Sequence, residues 1–384
     1  MKTSSKTHDR SPIDRGSSTH LRTVPTRRPS TLPLRRKVLF VTNTNRLKQP
    51  FLDPSSRYRC YHPAQDLIRQ GSVADVIPLK RLSRDTLTRY DAVVFHRPPY
   101  EEALIDALEL LQRQRIPHIA DYDDLIFDRQ NAGTSSVVRN GRLTLTRAEQ
   151  AFDDNLQALK LFEHVSVSTD PLADEVRRSH SKARVQVIHN GLSLPWIESI
   201  SSRGIFSQPH QNVTIGYFSG TQSHDYDFLE LQPILIKSLS QHANTSLMIV
   251  GQLNFDAAPF SGLKVSKLPI VPYEELPKFI ARAHINVAPL ENSVFNRCKS
   301  GLKFFEAAVV GTATVATPIP DMKRFKDGTI RLASSPNEWR AHLDELSERV
   351  RDTTYREELR TYALDACRSS TQTERFVSWL GGMA

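Results

Sequence analysis

The 384-residue sequence predicts an α/β protein: two doubly wound domains in series, facing a cleft, behind a disordered basic tail. Three observations predict it. The length exceeds what one compact core usually holds. Short apolar runs alternate with helical patterns from Lys37 onward. The same rhythm restarts after Gly191, beyond a stretch rich in Pro, Gly and Ser. Hydrophobic residues at 39% and charged residues at 24% suit a packed chain rather than a disordered one.

Residues 1–36 hold nine Lys/Arg and two acids, so they carry +7 of the formal net charge of +9. With no helical or alternating apolar pattern, they read as a disordered tail. Their Arg- and Ser-rich composition imitates a transit peptide, yet no amphipathic stripe accompanies it. Binding of the tail to anionic lipid or RNA is an open alternative to simple solvation. The remainder carries only +2, so the globular part is not a basic, nucleic-acid-binding body. No apolar run approaches the ~20 residues of a membrane span, and no signal-peptide core is visible, so a cytoplasmic protein is expected. Three scattered cysteines (Cys60, Cys298, Cys367) form no CxxC and support neither a disulfide framework nor structural zinc.

The first domain, 37–192, opens on Lys37–Thr42, a short apolar run ending in polar residues, as a buried parallel strand does. Further strands are expected at 73–79, 92–96, 116–120, 164–168 and 185–189, with helices at 100–114 and 143–162 between them. Residues 193–212 read as a linker. The second domain, 213–365, repeats the pattern with strands at 213–218, 247–251, 263–268, 285–289, 313–316 and 330–333. Its helices are expected at 228–240, 273–283 and 300–310, and later at 336–352 and 354–368. The last residues, 366–384, form a terminal helix that could cross back to the first domain.

Four groups of residues could carry chemistry. On a helix starting near Lys299, the cations Lys299 and Lys303 and the acid Glu306 share a narrow stripe beside Leu302, Phe305 and Val309. Two lysines four apart repel each other and oppose the helix dipole in its first turns. Both penalties vanish when an anion such as a diphosphate lies there, and Glu306 could accept hydrogen bonds from a vicinal diol. The bland alternative is a solvated Lys–Glu pair. Secondly, the strand Ile215–Ser219 breaks at Gly220 and Thr221, exposing backbone N–H groups, although the run is neither GxGxxG nor a P-loop. Thirdly, Asp121, Asp123 and Asp124 follow a strand's carboxyl end. Asp-x-Asp there, or at Asp225 and Asp227, could hold Mg²⁺, but such residues more often cap a helix or hold a loop. Fourthly, Arg57-Tyr58-Arg59-Cys60-Tyr61-His62 is a basic, aromatic loop suited to an anionic or sugar-bearing molecule. No HxH, HExxH or GxSxG is present, which disfavours a zinc enzyme or a serine hydrolase.

Together these segments resemble the GT-B glycosyltransferases, in particular the bacterial retaining group known as family 4 or group 1, from Lys37 to the C-terminus. Ser55-Ser56-Arg57-Tyr58-Arg59 with Asp121 to Phe127 looks like the acceptor half of one branch. Val167 to Ala173 with Val187 to Gly191 looks like the approach to the linker. Ile285 to Glu291, Phe295-Asn296, Lys299-Ser300, Lys303 to Ala308 and Gly311 look like the donor site. The resemblance implies two Rossmann-like domains and a second domain that binds a nucleotide sugar. Glu306 would hold the ribose hydroxyls, Gly220, Thr221, Lys299 and Lys303 would surround the diphosphate, and Val271 would lie by the base. Lys303 and Asp124 would take catalytic roles, with Arg57, Arg59 and Asp123 toward the acceptor. It also implies transfer to a glycan or lipid-linked acceptor with retention, no metal, no cofactor beyond the nucleotide sugar, and no nucleic-acid partner. The expected location is cytoplasmic, with the basic tail able to reach the inner membrane face.

Two departures stand out. The glutamate that the family often carries eight residues before the ribose one is Cys298 here, and 219–224 contains no Lys or Arg. A nucleotide-sugar epimerase of the same fold is the nearest rival; it would need acid and base groups, for which Asp124 and His224 are the candidates. A degenerate, non-catalytic binding or scaffold protein is the rival from another class.

Overall fold

A computed structural model describes residues 36–221, 225–325 and 328–383. The basic tail, apart from Arg36, and His224 lie outside the described residues.

Twelve strands among these residues form two six-stranded sheets, parallel throughout. In the first lobe they are β1 (Lys37–Thr42), β2 (Val73–Pro78), β3 (Ala92–His96), β4 (His118–Tyr122), β5 (His164–Val167) and β6 (Arg184–Val187), in the order β2-β1-β3-β4-β5-β6. β1 and β3 are buried on both faces, which is why their sequences run apolar without alternation. The second lobe contains β7 (Val213–Ser219), β8 (Thr245–Gly251), β9 (Val265–Leu268), β10 (Ile285–Ala288), β11 (Ala313–Ala316) and β12 (Arg331–Leu332). Their order, β12-β11-β10-β7-β8-β9, reverses between β7 and β10. In doubly wound sheets a ligand crevice opens beyond the carboxyl ends of the strands at that reversal. The chain after β7 contains Gly220 and Thr221, and the chain after β10 leads to Glu291 and Lys299.

Three elements differ from the sequence expectation. β4 lies two residues later than expected, so Asp121 and Tyr122 belong to the strand instead of following it. The basic, aromatic segment expected as a loop is helical. A π-helical turn, Arg57–Tyr61, continues into the helix His62–Arg69, with Asp53 accepting from Ser55 and Ser56 N–H at its start. Inside the expected linker lies a helix, Leu194–Ser202, whose Trp196, Ile197 and Ile200 are buried in the second lobe's core. Apolar residues at that spacing outweigh the Pro- and Ser-rich composition.

The terminal helix, Ser369–Gly381, packs on the first lobe. Phe376 stacks on Phe40 of β1 at 6.1 Å, and Leu380 joins the same cluster. Burying one such phenylalanine contributes about 2 kcal/mol. Asp66 accepts hydrogen bonds from Ser369 Oγ (2.6 Å) and Thr373 Oγ1 (3.0 Å), fixing where the helix returns.

Candidate functional site

At the carboxyl ends of β7 and β8 the backbone comes close together. Ser219 O accepts from Gln252 N–H at 3.1 Å, while Ser219 Oγ donates to the carbonyls of Thr221 and Gln252. Gly251 permits this approach: its φ is +109°, and a Cβ there would sit 1.9 Å from Ser219 O. Gly220 and Thr221 are exposed on the outer side of the turn. Asp225 and Asp227 hold loops: Asp225 Oδ1 accepts from Asn254 N–H and Asp227 Oδ1 from Glu291 N–H. Beside them a groove of ≈ 530 Å³ is lined by both lobes, including Arg142 from the first and Gly251, Gln252 and Lys267 from the second.

Lys303 and Glu306 stand on the helix Leu302–Ala308. Lys303 Nζ is fully buried, lies 4.6 Å from the Tyr217 ring centroid, and has no hydrogen-bond partner among the described residues. Burial pulls its pKa down to about 8, against partial support from nearby Asp227 and Glu306, and Lys299 lowers it further. Glu306 is shifted the opposite way: burial raises its carboxyl, while a hydrogen bond from Tyr58 and the charges of Arg57 and Lys303 oppose the rise. Tyr58 Oη donates to Glu306 Oε1 at 2.5 Å from the first lobe.

The helix begins later than the sequence pattern suggests, which corrects the expected stripe. Lys299 belongs to the preceding turn, with Nζ 5.1 Å from the Phe295 ring centroid. Gly301 caps the helix, and its N–H donates to Asp321 Oδ2 at 2.6 Å. That carboxylate already complements the helix's amino end, so the dipole is not left open for a diphosphate. On this segment, attraction for an anion rests on the ammonium groups of Lys299 and Lys303. Cys298, at the family's second glutamate position, is 1% exposed and packs with first-lobe apolar residues; burial pushes its thiol up to about 12. Its carbonyl accepts from Thr169 Oγ1 at 2.8 Å, tying the lobes together.

Val271 is half-buried against the second lobe's core, in the turn between β9 and the helix Leu276–Arg282. Tyr273, two residues on, stacks on Trp196 with centroids 5.0 Å apart and planes 7° apart. Arg57 lies over Tyr273 at 3.9 Å, and its Nε donates to Phe51 O. The structure puts Arg57 beside Tyr273 and Glu306 of the second lobe.

Arg59, expected toward the acceptor, is buried in an ion pair. It pairs with Asp121 through Nη2 (2.5 Å) and Nε (2.9 Å), and Nη1 donates to Ile188 O and Asn190 Oδ1. At 5% exposed it is a buried brace between β4 and the chain after β6. Asp123 and Asp124 are brought together by Arg97, which the sequence reading did not single out. Arg97 Nε binds Asp123 Oδ1 at 2.5 Å, and Nη2 binds Asp124 Oδ2 at 2.7 Å. Arg97, with support from His96 and Ser55, holds the Asp123 carboxyl well below the usual carboxylate range against the opposing effect of burial. Arg97 has φ +50°, a strain of about 1–3 kcal/mol that its backbone bonds to Asp121 O and from Asn43 Nδ2 help to hold. Its sequence signal was a cation lodged between an apolar strand and Pro98-Pro99. Asp124 is about a quarter exposed in its side chain (27%), which leaves it the most accessible acid of the three.

Among the described residues, no three His, Cys, Asp or Glu side chains converge as a metal site, and no helix is long and apolar enough to cross a membrane.

Residues 232–375, which include Lys299, Lys303 and Glu306, match the family model described as "Glycosyl transferase-like". No curated protein matches the chain. Among solved structures, HepE of Anabaena in complex with UDP and glucose is 14% identical, with a TM-score of 0.57, covering 90% of this chain and 100% of HepE. Sucrose-phosphate synthase of Thermosynechococcus elongatus is 13% identical (TM-score 0.57; 91% and 100% covered). The catalytic domain of starch synthase IV from Arabidopsis thaliana, bound to ADP and acarbose, is 10% identical (TM-score 0.58; 90% and 99% covered). The fold is GT-B.

Proposed function

We propose that this GT-B chain transfers a sugar from a nucleoside-diphosphate sugar to a glycan or lipid-linked acceptor, with retention and without a metal or other cofactor. The observation that carries the reading is the buried Lys303 ammonium, with no hydrogen-bond acceptor among the described residues, beside the Glu306 carboxylate at the sheet's reversal point. A buried charge without a partner is costly, and a diphosphate would remove that cost.

In this reading Glu306 accepts the ribose hydroxyls, and Val271 lies by the base. Gly220 and Thr221 offer backbone N–H groups to the diphosphate. Departure of the leaving group dominates the barrier, because negative charge grows on the diphosphate as the glycosidic bond breaks. Lys303 and Lys299 are fixed cations aimed at that charge, and in a dry cleft such groups contribute several kcal/mol. They supply the stabilisation that a metal would otherwise give. Asp124 orients the acceptor hydroxyl, with Arg97 and Asp123 holding it in place. The acceptor attacks from the face that the phosphate leaves. Contacts between the lobes, such as the paired bonds of Arg139 to Glu291 (2.7 and 3.0 Å), would restrict water around the donor. We place the reaction in the cytoplasm, at the inner membrane face when the acceptor is lipid-linked.

The test is calorimetry with UDP, GDP and dTDP on the wild type and on Glu306→Ala. We expect one nucleotide to bind the wild type and to be lost from the variant while the variant stays folded. Equal affinity in the two proteins would contradict the reading. Incubation with the matching nucleotide sugar should give slow hydrolysis; an epimerised sugar would identify the rival enzyme.

A further inference from the structure

Tyr58 reaches from the first lobe to the Glu306 carboxylate of the second. It is 4% exposed, its hydroxyl is 2.5 Å from Glu306 Oε1, and it lies 3.4 Å from the hydroxyl of Tyr273. Its ring packs edge-on against His62 and tilts against Phe305. The backbone beneath it is the π-helical turn Arg57–Tyr61. Such turns carry one extra residue, are less favourable than α-helix, and concentrate at functional sites.

A buried carboxylate cannot be left without donors. Here the donor is a phenolic O–H, the same hydrogen-bonding chemistry as a sugar hydroxyl. A vicinal diol brings two O–H donors and engages both carboxylate oxygens, one of which Tyr58 already occupies. Oε1 has a second lone pair, but an oxygen that already accepts from Tyr58 is a poorer acceptor for another donor, so Tyr58 and a diol compete for it. We propose that Tyr58 is an internal stand-in for the donor's ribose hydroxyl, released from Glu306 when nucleotide enters, so that donor binding is coupled to movement of the Arg57–Tyr61 turn. This rests on Glu306 being the ribose carboxylate.

The coupling has a direction. With no nucleotide, the Tyr58–Glu306 bond satisfies the carboxylate and fastens the lobes together. Nucleotide binding must break that bond, so part of the intrinsic affinity is spent on release. The π turn Arg57–Tyr61 is the segment that would have to shift for Tyr58 to leave Glu306, and such turns are held less firmly than α-helix. Trp196 is placed to report the event: its stacking partner Tyr273 is the other hydroxyl beside Tyr58.

Tyr58→Phe tests this, because it removes the hydroxyl and keeps the ring. Calorimetry with the nucleoside diphosphate that the wild type binds should show about tenfold tighter binding by the variant, the net worth of a hydrogen bond to a charged group. In a Glu306→Gln background the gain should shrink several-fold, since the competition is for the carboxylate. In a second measurement, on wild type with Trp339 and Trp379 replaced by Phe, saturating nucleotide should shift Trp196 emission. Equal or weaker binding by Tyr58→Phe would overturn the proposal, and so would an unmoved Trp196 signal at saturation. If Glu306→Ala loses nucleotide but Tyr58→Phe gains nothing, only this proposal fails. If Glu306→Ala binds as the wild type does, the donor reading fails with it.

Discussion

The two lobes treat the charged side chains near their strand ends differently. In the first lobe the acids are answered from within: Arg59 pairs with Asp121, and Arg97 pairs with both Asp123 and Asp124. In the second, Lys303 has no acceptor among the described residues, and Glu306 is satisfied only by reaching across to Tyr58. A self-neutralised cluster is architecture that can orient a neighbour. A cluster with a buried charge that lacks an acceptor is unfinished, and in the proposed function an anion completes it.

Breaking the first lobe's balance should cost the most. Asp121→Ala leaves Arg59 buried and unpaired, which should destabilise the fold by about 3–5 kcal/mol in urea melts. Nucleotide affinity of the folded fraction should stay close to wild type. The second lobe should behave the other way round. Glu306→Ala should weaken nucleotide binding by about a hundredfold, roughly 2.7 kcal/mol, and lower the urea midpoint less than Asp121→Ala does, through the lost Tyr58 bond.

The pH dependence sharpens the contrast further. Lys303 titrates near 8 when folded, below its ordinary 10.5. The unfolded chain then binds more protons between those values, so this residue's contribution to stability rises with pH across that window, and its full cost is present below 8. Nucleotide affinity has the opposite sign. The diphosphate favours the ammonium, so binding takes up a proton above pH 8 and should weaken by up to about tenfold per pH unit. Lys303→Arg should flatten that fall, because a guanidinium stays charged. The smallest expected effect is chelation: treatment with EDTA should leave transfer unchanged, and a loss restored by Mg²⁺ would contradict the metal-free reading.

The strand succession could be read from the sequence because buried parallel strands leave continuous apolar runs, such as Val38 to Val41 and Ile285 to Ala288. Lys303 and Glu306 could be read because they lie one helical turn apart. What escaped depends on contacts between distant residues. The helix start at Leu302 is set by Asp321, nineteen residues beyond it. Arg57-Tyr58-Arg59 looked like a polar loop because its partners, Tyr273, Glu306 and Asp121, lie more than 60 positions away. Arg97 escaped because a left-handed backbone at a non-glycine residue has no local signature.

In our reading Lys303, buried without a hydrogen-bond acceptor among the described residues, is held so for an anionic ligand. Lys303→Met at pH 7 tests it most directly, with urea melts and nucleotide calorimetry on the same protein. The variant should be more stable by about 1–3 kcal/mol and bind nucleotide at least tenfold more weakly. A less stable variant with unchanged nucleotide affinity would contradict it.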